Sequence, residues 1–133
     1  MVTPALSPQA HDDLTSRICA PEVCDAFHDL VAGLADMGRF DLRPNIGGRK
    51  KALQVSSGRV SYFAVVANNH WLLWYFRWPG FRDGVFDWPG LHAAFPDLQR
   101  SGATRPDRLE AVLRLRTPAE ADAVLRYVRA ARC

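Results

Sequence analysis

From Pro21 onward, apolar residues recur at helical spacing: Val23, Phe27, Leu30, Val31 and Leu34. Proline stands at the first helical position and Gly38 follows the last turn, so the pattern predicts an amphipathic helix over 21–37. Further on the period drops to two. Ala52–Val55 and Arg59–Ala67 flank Ser56-Ser57-Gly58, and Asn68-Asn69-His70 supplies a second turn into the run Trp71–Trp78. These segments predict a meander of three antiparallel strands.

The middle strand carries apolar residues on both sides, with Val60, Tyr62, Ala64 and Val66 alternating with Ser61, Phe63 and Val65. That is the mark of a strand near the sheet centre. In the third strand, Trp71, Leu73, Tyr75 and Arg77 alternate with Leu72, Trp74, Phe76 and Trp78. The first set ends in a cation and is the one expected to reach solvent. A later alternation sets Leu109, Ala111, Leu113 and Leu115 against Glu110, Val112, Arg114 and Arg116, predicting a half-buried strand with an ionic outer face. Thr117-Pro118-Ala119-Glu120 then reads as a capping box opening a helix over 118–131.

The expected fold is a single α+β domain over 21–133: an antiparallel sheet of about four strands with both helices packed on one face. Residues 1–20 read as a flexible or partly helical lead, and Asp41–Lys51 as an exposed connection. The final strand follows a long loop and fits either edge of the meander. Within that loop Trp78-Pro79-Gly80 is echoed ten residues later by Trp88-Pro89-Gly90, a corner used twice. Two copies are too few for a repeat architecture.

At 133 residues, 48% hydrophobic and 23% charged, the chain has an ordinary globular composition with enough length for a core that needs no staples. The net charge of +3 permits a polyanionic partner without demanding one. Fifteen of the seventeen basic residues are arginine, which suits planar and stacking contacts. Cys19, Cys24 and Cys133 make an odd set without paired spacing, and no run approaches the roughly 18 apolar residues of a membrane span. The expectation is a cytoplasmic protein with no membrane contact.

Several chemistries lack their residues. Gly47-Gly48-Arg49-Lys50-Lys51 has neither the spacing nor the trailing hydroxyl of a phosphate-binding loop, and no serine elbow is present. The four histidines are scattered; Cys24 and His28 sit one helical turn apart but gain no further ligands by spacing, so no metal or other cofactor is expected. Asp83, Asp87 and His92 would supply an acid–base cluster for a small hydrolase or transferase if they converged, although Asp83 also reads as a turn residue and Asp87 as a helix cap.

The leading expectation is a non-catalytic recognition module. Its surface would combine Arg49, Lys50, Lys51, Arg77, Trp78, Arg82 and Trp88, cations interleaved with aromatics, and would bind nucleic acid in preference to an acidic protein. A homodimer joined through the aromatic strand is the further alternative.

Overall fold

The computed structural model describes residues 7–16, 18, 20–45, 52–101 and 106–131. Along the chain the elements are α1 (Pro8–Thr15), α2 (Pro21–Met37), β1 (Asp41–Asn45), β2 (Ala52–Ser57), β3 (Val60–Ala67), β4 (Leu72–Phe76), α3 (Trp78–Arg82), α4 (Trp88–Ala94), β5 (Gln99–Ser101), β6 (Glu110–Leu115) and α5 (Pro118–Ala130). A single 3-10 turn, Pro106–Arg108, precedes β6. The strands form one sheet in the order β1-β2-β3-β4-β6-β5, with every pairing antiparallel.

The fold is α+β, with more strands than the sequence pattern predicts: six among the described residues in place of about four. Both additions are edge strands. β1 lies in the stretch read as a connection, and its Pro44, which has no N–H to give a ladder, is tolerated because β1 has only β2 beside it. β5 is three polar or charged residues long and owes its extended form to pairing with Glu110–Val112 of β6. The meander is present as predicted, and β6 completes it by pairing with β4. Both edges of β4 are therefore occupied, which leaves a dimer formed by strand pairing through this aromatic segment no free edge.

Local rules explain the helix ends. Pro21 opens α2, and Gly38 closes it in the left-handed region at φ +70°, its N–H donating to Ala35 O. At the start of α5 the Thr117 hydroxyl oxygen accepts from the Glu120 N–H at 3.2 Å. The Glu120 carboxylate reaches back one residue further than in the usual box and accepts from the Arg116 N–H at 2.9 Å. The far end of α5 is capped from a distance: the Arg39 guanidinium donates to the carbonyls of Val128 (2.6 Å) and Ala131 (2.8 Å). The Asn68–Asn69 turn forms without any left-handed asparagine, since positive φ among the described residues is confined to Gly38, Gly58 and Gly84.

Helices α1, α2, α4 and α5 bury apolar residues against one face of the sheet. Leu53, Val55, Phe63, Val65, Leu72, Trp74, Phe76, Leu113 and Leu115 meet Leu14 of α1, Phe27 and Leu30 of α2, Leu91 of α4 and Val124 of α5 in a continuous core. Gly33 lets α2 and α5 close together, because a Cβ there would lie 2.6 Å from Leu125 Cδ1. The alternation in β4 resolves as the sequence predicts: Leu72, Trp74 and Phe76 are sealed, while Leu73 and Tyr75 lie half-buried on the opposite side.

Trp74 is fully buried, stacked on Phe63 at 5.3 Å with an interplanar angle of 28°, and its Nε1–H finds no acceptor among the described residues. Trp74→Phe should consequently range from neutral to mildly stabilising. The lost ring volume costs about 1 kcal/mol, and removing an unsatisfied buried donor returns about 1–3 kcal/mol. Denaturant unfolding checks this, with a loss above about 2 kcal/mol contradicting it.

Candidate functional site

The two Trp-Pro-Gly segments start helices rather than turns. Proline is compatible with the first turn of a helix, where an N–H would have no intrahelical partner. In the first copy, the backbone N–H of Trp78 and the guanidinium of Arg77 both donate to Glu110 Oε2 at 3.1 Å, so a carboxylate from β6 caps α3. In the second copy, Asp87 is the cap: its Oδ1 accepts from the Gly90 N–H at 2.8 Å. The loop between the helices is pinned by Phe86, whose ring enters the core beside Phe63, Phe76 and Phe81.

These contacts place the sequence-predicted site residues. Arg77 is committed to Glu110. Trp78 is half-buried, with the guanidinium groups of Arg82 (5.2 Å) and Arg108 (4.6 Å) over its ring. Arg82 is also paired with Asp83 at 2.8 Å. Trp88 stacks on Phe81 at 4.7 Å and on His92 at 5.8 Å, with Arg100 4.9 Å from its centroid. The indoles of the two corners are thus already faced by side chains of this chain. Arg49, Lys50 and Lys51 lie outside the described residues.

The acid–base alternative finds its three residues occupied separately. Asp83, at the end of α3, accepts from the Tyr62 hydroxyl at 2.9 Å and from Arg82. The Arg82 hydrogen bond, followed by that of Tyr62, holds the Asp83 carboxyl below the ordinary carboxylate value. The β2–β3 register shifts by a β-bulge between Val55 and Ser56, next to Tyr62, whose hydroxyl donates to Asp83. Asp87 caps α4 and His92 stacks on Trp88, so the three side chains are engaged by separate partners. Among the described residues no group of three or more His, Cys, Asp or Glu side chains converges as a metal site.

A different grouping emerges on the second face of the sheet, opposite the residues that form the core cluster. Ladder pairing sets Gln54, Ala64, Tyr75, Val112 and Gln99 in one row across five strands, and Ala52, Val66, Leu73 and Arg114 in the next. Ala64 and Val66 are each 8% exposed yet stand outside the core cluster. Trp71 precedes β4 on this face with the Arg114 guanidinium 4.9 Å from its centroid, and Arg116 continues the same face of β6 one step beyond Arg114. Arg114 and Arg116 are exposed and form no ion pair with a described carboxylate. Burial and then the negative charge of Glu110 push the Tyr75 phenol up, so it is neutral at ordinary pH.

Beyond Val112, β5 no longer covers β6, and the outer edge of Leu113–Leu115 borders a cavity of about 730 Å³. Leu73, Tyr75 and Arg114 line it from the second face, Phe95 and Leu98 from the connection after α4, and Glu120 from α5.

No family model, curated protein or solved structure matches this chain. No helix among the described residues is long and apolar enough to cross a membrane. The site therefore rests on its own geometry. Sequence reasoning identified the ionic outer face of the last strand but did not join it to Trp71. That neighbourhood exists only because β6 pairs with β4, and strand order is not written in local spacing.

Proposed function

We propose that the protein is a non-catalytic recognition module that binds a polyanionic macromolecule, nucleic acid before acidic protein, on the second face of its sheet. The observation that carries this reading is the juxtaposition of Trp71, Tyr75, Arg114 and Arg116 on the face opposite the core cluster, the two arginines forming no ion pair with a described carboxylate. Unpaired guanidinium groups beside aromatic rings supply both phosphate attraction and a stacking surface. Arg77 and Arg82, which the sequence offered for this role, contribute less because Glu110 and Asp83 neutralise them.

The test is a fluorescence-polarisation titration with short labelled oligonucleotides, single- and double-stranded, at low ionic strength. Binding is expected, weakening steeply as salt rises from about 50 to 200 mM. Absence of binding to both forms at low ionic strength would remove the proposal.

A further inference from the structure

Resting on that reading, we infer that the ligand is single-stranded nucleic acid, with an unpaired base seated on Tyr75 beside the cavity and the backbone running along Arg114 and Arg116. The second face is not uniformly cationic. Its accessible centre, Leu73 and Val112 around Tyr75 with Ala64 and Val66 buried between them and β2, is apolar, and Arg114 and Arg116, in no ion pair with a described carboxylate, stand to one side on β6. A duplex presents phosphates outward and keeps its base faces stacked. Laid on this surface, it would set charged oxygens over apolar side chains that cannot replace their hydration. Reading a duplex by its grooves needs a protruding helix or ribbon, and no described element rises from this face.

A single strand fits both parts of the surface. Its base faces are apolar and can cover Tyr75 and Leu73, while its phosphates reach the arginines. Arg114 and Trp71 form a second platform, since a base can stack on a guanidinium plane already laid over an indole. Trp71 and Tyr75 are four residues apart on the same face of β4, about 14 Å along an extended strand, so two bases can be held at once. Gln99 lies in the Tyr75 row next to Val112 and lines the cavity, where its carboxamide can meet the edge of a base seated there.

The experiment compares a labelled mixed-sequence single strand with its own duplex at one low ionic strength, using the wild-type protein and the Tyr75→Leu and Tyr75→Phe variants. The wild type should prefer the single strand by ten-fold or more, on the order of one stacked base. Tyr75→Phe keeps the ring and should keep the preference; Tyr75→Leu should lose roughly 5- to 100-fold in single-strand affinity. Equal affinity for strand and duplex would overturn the inference while leaving the recognition reading intact, and so would a preference that Tyr75→Leu does not diminish. Failure of both nucleic acids to bind would overturn the reading itself. If Tyr75→Leu does not fold, by circular dichroism, the wild-type comparison and Gln99→Ala decide: the latter should alter the ranking among single-stranded homopolymers, and an unchanged ranking counts against the seat.

Discussion

Gly80→Ala is expected to destabilise the protein by about 3 kcal/mol, at the upper end of overpacking costs, lowering the melting temperature by about 10 °C. A Cβ at position 80 would lie 2.0 Å from Phe86 Cζ and 2.4 Å from Cε2. The ring has little room to retreat, because it is held at 5.8, 5.4 and 4.8 Å by the rings of Phe63, Phe76 and Phe81. Phe86→Leu removes the atoms that collide. Alone it should cost about 1–2 kcal/mol through lost packing, but combined with Gly80→Ala it should restore part of the stability, giving a non-additive double-mutant cycle. Gly90, in the second copy of the same tripeptide, is the contrast: its nearest obstacle is Asp87 Oδ1 at 2.9 Å, the end of an exposed side chain that can shift by weakening its capping hydrogen bond, so Gly90→Ala should cost less, about 1 kcal/mol. Thermal and denaturant unfolding of the four variants would decide this; equal effects at Gly80 and Gly90 would contradict it.

The same tripeptide doing two different things shows where sequence stops being informative. Locally the two copies look alike, and proline followed by glycine suggests a turn. Whether each opens a helix depends on a cap: Asp87 lies in the adjacent sequence, but Glu110 comes from a strand more than thirty residues away. The bounds of α2 and the start of α5 were legible because their signals, Pro21, Gly38 and Thr117–Glu120, lie within the elements themselves. The two faces of β4 were legible for the same reason. β1 and β5 were not, since Asp41–Asn45 and Gln99–Ser101 are polar or contain proline and become strands through neighbours contributed by other parts of the chain.

The candidate site follows this division. Trp71, Tyr75, Arg114 and Arg116 each lay on an outward face in the alternation, but their convergence is a property of strand order. Trp78, Arg82 and Trp88 stood out by aromatic density, and the structure spends much of that density on contacts within the chain. A cation placed over an indole is worth about 0.5–1 kcal/mol at an exposed position, so these pairs organise the surface more than they stabilise the fold.

Reversing charge on β6 should have the largest effect on binding. Arg114→Glu combined with Arg116→Glu is expected to reduce affinity for a single strand by 10- to 100-fold or more at low ionic strength, because two attractions become two repulsions. The slope of log affinity against log salt should also fall, by about 0.7 for each phosphate contact removed. This second readout separates a phosphate contact from general damage: misfolding would lower affinity without a defined change in slope. Both positions are exposed, and neither arginine is in an ion pair with a described residue, so the stability cost should stay near 1 kcal/mol, chiefly the lost Arg114–Trp71 contact. Arg129→Glu is the matched control. It is exposed on α5, which packs on the opposite face of the sheet, and changes the net charge in the same direction. If Arg129→Glu, with half the charge change, weakens binding as much as the β6 pair does, the attraction belongs to the whole protein and not to this face. A reversal on β6 that leaves affinity and slope unchanged would show that the nucleic acid binds elsewhere.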